Sequence, residues 1–151
     1  MRVAHLMSRD VITIRECATC QDAVAAMFRN RIRHLPVVDA DGCLVGIVTD
    51  RDIRHHLFAP EIFREIGSVT VERLLASVKV AQVMSRPVVT VAPDDALEAA
   101  TRMMLEDKVG SLPVVDRGRV VGIITETDLL RRIIGADRTC GMPEPIVVSY
   151  P

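Results

Sequence analysis

Gly46-Ile47-Val48-Thr49-Asp50-Arg51-Asp52 returns in the second half of the chain as Gly122-Ile123-Ile124-Thr125-Glu126-Thr127-Asp128. In both copies a β-branched apolar run ends on threonine, and an aspartate follows three residues later. That pattern predicts a strand stopping at the threonine and a helix starting there. Outward from it, Leu35-Pro36-Val37-Val38-Asp39 returns as Leu112-Pro113-Val114-Val115-Asp116. Further out, Val3-Ala4-His5-Leu6-Met7-Ser8-Arg9-Asp10-Val11-Ile12-Thr13 returns as Val80-Ala81-Gln82-Val83-Met84-Ser85-Arg86-Pro87-Val88-Val89-Thr90. Pairing residues 3–39 with 80–116 and 42–54 with 118–130 gives 20 identities in 50 positions, so one fold is present twice. Two copies are too few for a solenoid, which needs about three to bury its faces. The expectation is a closed pair with a pseudo-two-fold axis.

Each copy reads as strand, helix, strand, strand, helix, an α/β (α+β) arrangement. Residues 11–14 and 88–91 are short β-branched stretches. A helix is predicted over 19–30, where Ala23, Val24, Met27 and Phe28 recur at helical spacing. Its counterpart is expected to start near Asp94-Asp95, with Asp95 and Glu98 at capping-box spacing after Pro93. Residues 35–38 and 44–48 are joined by Asp39-Ala40-Asp41-Gly42, a run of turn formers, and Asp116-Arg117-Gly118 repeats that turn one residue shorter. The organisation is thus a first repeat over 1–56, a helical connector over 57–79, a second repeat over 80–135 and a tail over 136–151. In the connector, Phe58, Ile62, Phe63, Leu74 and Leu75 are expected to pack on the body of the protein. The tail's Ile146-Val147-Val148 reads either as a loose end or as an added edge strand reaching a partner.

Composition narrows the function classes. Hydrophobic residues make up 49% of the 151, with no Trp and one Tyr, so the core must be aliphatic. A formal charge of −1 gives no pull toward nucleic acid or an anionic bilayer. No run nears the ~18 apolar residues that span a membrane, and residues 1–10 lack the apolar stretch of a signal peptide. The expected location is cytoplasmic, with neither a membrane nor a nucleic acid as partner. There is no nucleophile elbow, P-loop or H-E-x-x-H, so no enzyme is predicted. Cys17-x-x-Cys20 lacks two further ligands for zinc, and no metal site is expected. The pair reads as small buried or helix-start residues, or as the basis of a thiol redox-responsive interaction module. His55 and His56 beside Arg54 read as a solvated helix end.

The strand-to-helix junctions carry the sharpest chemical signal. Free backbone N–H groups and the positive end of a helix dipole suit an anion, and the hydroxyl of Thr49 or Thr125 can join them on a phosphate. Ionised Asp52 or Asp128 only accepts hydrogen bonds, which suits a ribose diol. The same Thr-x-x-Asp spacing is also an ordinary helix cap that needs no ligand.

In this order the motifs resemble the CBS domain family, whose tandem pair is called a Bateman module. The likeness covers residues 3–56 and 80–134. Its first half resembles the N-terminal pair of acetoin-utilisation regulatory proteins, and the whole is similar to short stand-alone bacterial CBS-pair proteins. The resemblance implies a cleft between the repeats with up to two sites for AMP, ADP, ATP, NAD or S-adenosylmethionine, and no required cofactor. It implies a homodimer, and a role in regulating another protein whose identity is open. Carried over by motif position, Thr49 and Asp52 match the phosphate and ribose contacts of one site, and Thr125 and Asp128 those of the other. Arg33 and His34 border the ligand before Leu35-Pro36, as Gly110 and Ser111 do before Leu112-Pro113. Thr13 and Thr90, with the backbone of Val11 and Val88, match positions that line the base. The two sites differ: Arg33, His34 and Arg51 favour a phosphorylated ligand through charge-assisted hydrogen bonds, where the second copy has Gly110, Ser111 and Thr127. With an unperturbed pKa near 6.5, His34 is expected to strengthen phosphate binding on mild acidification.

Overall fold

A computed structural model describes residues 1–57, 59, 70–135 and 148–150. The expectations for Phe58, Ile62, Phe63 and residues 136–147 lie outside the described residues. The elements are β1 (Ile12–Arg15), α1 (Cys20–Asn30), β2 (His34–Val38), β3 (Leu44–Thr49), α2 (Asp50–Leu57), α3 (Val71–Ser77), α4 (Val80–Val83), α5 (Leu97–Asp107), β4 (Ser111–Asp116), β5 (Arg119–Thr125), α6 (Glu126–Ile133) and β6 (Val148–Tyr150). They form two compact units. Met1–Val11 joins Val89–Val148, and Ile12–Val88 joins Ser149–Pro151. They are named below for the junction threonine each contains.

In the Thr49 unit the sheet order is β3-β2-β1-β6. β2 and β3 are an antiparallel hairpin with His34 opposite Thr49, and β1 runs parallel to β2 with Ile14 opposite Val37. The hairpin closes because Asp39 Oδ1 accepts from the N–H groups of Asp41 and Cys43, both at 2.9 Å, while Gly42 takes φ +81°. Thr19 and Asp22 form a capping box that starts α1. Its buried stripe is Cys20, Ala23, Ala26 and Met27. Val24 and Phe28 follow that stripe by one residue, about 100° around the helix, and Phe28 is 87% exposed. The apolar spacing is real, but the smaller alanines face the sheet. Ile14, Leu35, Val37 and Val48 fill the core, each burial stabilising by roughly 1.5–3 kcal/mol. Leu74 and Leu75 of the connector pack against it, as expected.

In the Thr125 unit β4 and β5 are antiparallel, with Ser111 opposite Thr125. Arg117 and Gly118 both take positive φ, the requirement of a two-residue I′ hairpin turn. The strand expected over 88–91 is reduced to one parallel bridge, Val91 to Val114. Val91 N–H donates to Pro113 O at 3.2 Å, and Val115 N–H donates to Val91 O at 2.9 Å. The capping box expected of Asp95 and Glu98 does not form. Asp95 Oδ2 instead accepts from Ala92 N–H at 2.7 Å, Ala96 stands at the cap without a side-chain bond, and Glu98 lies 3.8 Å from the N-terminal ammonium. The turn Pro93-Asp94-Asp95 thus binds its own carboxylate one turn too early to serve the helix.

The repeated leading segments sit in exchanged places. Ser8 and Ile123 trade backbone bonds of 2.8 and 2.9 Å in the Thr125 unit, and Ser85 and Ile47 trade bonds of 2.8 and 3.1 Å in the Thr49 unit. Met7 lies on Gly122 and Met84 on Gly46, where any larger residue would collide with the thioether. Each glycine of the repeated Gly-Ile pair therefore serves a close approach that the sequence did not disclose.

Candidate functional site

The two junctions have the same internal chemistry. Thr49 N–H donates to Asp52 Oδ2 at 2.8 Å, Thr49 Oγ1 donates to the same oxygen at 2.7 Å, and Asp52 N–H donates back to Thr49 Oγ1 at 3.1 Å. At the other junction the three distances are 2.9, 2.7 and 3.3 Å. Thr49 and Thr125 are therefore caps first. Each hydroxyl proton is committed to its aspartate.

Cross-strand neighbours take up a further helix-end donor. Asp50 N–H donates to Arg33 O at 3.2 Å, and Glu126 N–H donates to Gly110 O at 3.0 Å. The second amide of each helix, Arg51 N–H or Thr127 N–H, has no partner among the described residues. The hairpin register places His34 against Thr49 and Ser111 against Thr125, so the residues before each Leu-Pro do lie beside the junctions. Pro36 and Pro113 are buried one step further along their strands and contribute shape, having no N–H.

Two buried residues carry hydroxyls that make no hydrogen bond among the described residues. Thr13 is 2% exposed and Ser111 5%, and neither side chain makes a hydrogen bond among the described residues. Neither oxygen is sealed off, because no buried side-chain N or O among the described residues lacks a partner. Thr13 and Val88 belong to the Thr49 unit, while Thr90 and Val11 belong to the Thr125 unit. Val11 is buried; Thr90 and Val88 are half-buried.

The aspartates differ in their surroundings. Asp128 is 6% exposed and its Oδ1 lies 3.9 Å from Arg131 Nη1. Asp52 is half-buried, and its Oδ1 has no partner among the described residues. Arg54 is held at 2.9 Å by Asp50, but Arg33 and Arg51 are exposed and form no ion pair among the described residues. Free cationic groups thus flank the Thr49 junction. Arg131 escapes the motif reading because its spacing to Asp128 is that of any helical pair.

Cys17 is exposed, whereas Cys20 is 1% exposed, and burial pushes its thiol up to about 11. At neutral pH it is a protonated thiol, which is not the nucleophilic form. No helix among the described residues is long and apolar enough to cross a membrane.

Two repeats of mixed α/β structure, each with a Thr-x-x-Asp junction, define the class of protein. The CBS domain model matches residues 3–59 and 80–135, and the chain belongs to the CBS domain family. A CBS domain-containing protein of Dictyostelium discoideum is 38% identical over 133 residues, 87% of this chain and 90% of that protein. A homoserine O-acetyltransferase of Methanococcoides burtonii is 38% identical over 134 residues, 88% of this chain, but the chain spans only 24% of that enzyme. Among solved structures, the CBS domain pair of protein MJ0100, in complex with 5′-methylthioadenosine and S-adenosyl-L-methionine, has a TM-score of 0.75 at 29% identity, covering 89% of this chain and 97% of that one. CBSX2 in complex with AMP has a TM-score of 0.69 at 26% identity, covering 89% and 96%.

Proposed function

We propose that this chain is a non-catalytic sensor that binds an adenine nucleotide or related adenosyl ligand at its Thr-x-x-Asp junctions. The observation that carries the reading is hydrogen-bonding capacity left unspent at one helix end. Among the described residues Arg51 N–H has no acceptor and Asp52 Oδ1 no donor, and the two lie within one turn of each other. A phosphate takes the donor together with Arg33 and Arg51, and a ribose diol donates to the aspartate. Thr49 positions that aspartate, and its hydroxyl reaches a phosphate only by giving up the bond to Asp52. The second junction has Gly110, Ser111 and Thr127 where the first has Arg33, His34 and Arg51, with Arg131 beside Asp128, and suits an uncharged adenosyl group such as that of S-adenosylmethionine. The ligands of the MJ0100 pair and of CBSX2 support this chemistry.

Ligand binding changes the docking of a regulated protein by favouring one arrangement of a homodimeric module. Cys17 and Cys20 have no part in it. The test is a thermal melt with AMP, ADP, ATP, NAD and S-adenosylmethionine. A ligand at 100 times its Kd stabilises by about 2.7 kcal/mol. A folded protein whose melt none of the five moves overturns the proposal.

A further inference from the structure

We infer that the C-terminal strand β6 is a displaceable strap on the ligand edge of the Thr49 unit, so that this junction accepts ligand only when β6 leaves β1. The inference rests on the adenosyl-ligand reading above and adds its regulation.

β1 has β2 on one side and β6 on the other. Ile14 is registered with Val37, and Glu16 N–H donates to Val38 O at 3.1 Å, so residues 14 and 16 face β2. Backbone alternation then turns the N–H and C=O of Thr13 toward β6, together with the N–H of Arg15. In the Thr125 unit the equivalent residues are Thr90 and Ala92. There Val91 spends both backbone groups on β4, and those of Thr90 have no partner among the described residues.

Ala92 N–H, by contrast, is taken by Asp95 Oδ2 at 2.7 Å. The first copy has Ala18 where the second has Asp95, and alanine brings no acceptor. Arg15 N–H is thereby left open on the side where β6 lies. One substitution between the copies makes one edge self-closing and the other receptive.

Thr13 and Thr90 each present a donor beside an acceptor. A purine edge carries the complementary pair, as adenine does with N7 and its amino group. An added strand satisfies the same groups. β6 and a base therefore compete for one edge. β6 is three residues long, and at about 1 kcal/mol net per hydrogen bond a ligand of ordinary affinity can displace it.

The test is calorimetry with AMP on the full chain and on the full-length Val148→Pro/Ser149→Pro variant, whose prolines cannot donate to β1. The variant is expected to bind AMP at the Thr49 junction at least about tenfold more tightly than the parent. Equal numbers and affinities in both overturn the strap and leave the nucleotide reading standing. No binding of any adenosyl ligand by either chain overturns that reading, and the strap with it. Hydrogen exchange on the parent provides a measurement without a variant. With AMP at the Thr49 junction, whichever β6 amides face β1 should exchange at least about tenfold faster. Unchanged rates overturn the strap.

Discussion

Thr49 and Asp52 hold each other through three hydrogen bonds that converge on two oxygens, Thr49 Oγ1 and Asp52 Oδ2. The arrangement satisfies two helix-end donors and fixes the carboxylate without using its second oxygen. Cap and ligand anchor are therefore successive uses of one side chain. Thr125 and Asp128 repeat the arrangement.

That division separates two substitutions. Thr49→Ala removes a cap and should cost about 1 kcal/mol, lowering the melting temperature by roughly 2–4 °C at this size. Asp52→Ala loses the same cap and also the ribose acceptor. The melts of the two variants should be similar, while AMP affinity falls at least about tenfold further in Asp52→Ala. Equal affinities in the two variants would assign Asp52 to the helix alone.

Much of this was legible in the residues. The doubled Gly-x-x-Thr-x-x-Asp element places both hairpins and both final helices, because strand period, turn formers and cap chemistry agree there. The second copy's first strand was misjudged: β-branched residues 88–91 have β propensity, yet only Val91 finds a bridge. Asp95 had cap spacing but closes its own turn, since a short carboxylate takes the nearest free N–H. The exchanged leading segments were invisible because periodicity reports which face is buried, not against which copy. Arg33 and Ser111 were expected near the junctions from their place before Leu-Pro, and the backbone does set them there. The amides of Arg51 and Thr127, without partners among the described residues, leave no mark in residue identity.

The glycines beneath the methionines should be coupled to them. A Cβ on Gly122 would lie 2.5 Å from Met7 Sδ and 3.2 Å from Ser8 O, whereas at Gly46 the three nearest atoms all belong to the Met84 side chain. Gly122→Ala should therefore cost more than Gly46→Ala, because a thioether can swing aside and a backbone carbonyl cannot. Overpacking of this kind costs about 1–3 kcal/mol. In a double-mutant cycle, Met84→Ala should recover most of the loss in Gly46→Ala. Strict additivity in urea denaturation would contradict the packing.

Arg33 and Arg51 flank the Thr49 junction without ion-pair partners among the described residues. Arg33→Ala/Arg51→Ala should weaken AMP and ATP at one site by about tenfold, about 1.4 kcal/mol, and leave adenosine unchanged. The parent's preference for AMP over adenosine should also shrink as salt is raised, because both guanidinium groups are exposed. Calorimetry giving the same AMP-to-adenosine ratio in parent and variant would remove the arginines from the site.

Cys20 gives a pH dependence with a definite sign. Burial raises its thiol from 9.0 to about 11. Below pH 9 both folded and unfolded chains keep the proton, and this group contributes no slope. Between pH 9 and about 11 the unfolded chain ionises while the folded chain does not, so unfolding releases a proton and stability falls as pH rises. The loss at the top of the window is on the order of 2 kcal/mol. Urea denaturation of the parent and Cys20→Ala should show the parent's advantage intact at pH 8.5 and shrinking by pH 11, since all other titrating groups are shared. The same burial predicts that iodoacetamide at pH 8 alkylates exposed Cys17 and Cys43 in the native protein and reaches Cys20 only after unfolding. Parallel pH profiles, or alkylation of native Cys20 as fast as Cys17, would mean that the first residue of α1 is not sealed, and would reopen a redox role for the pair.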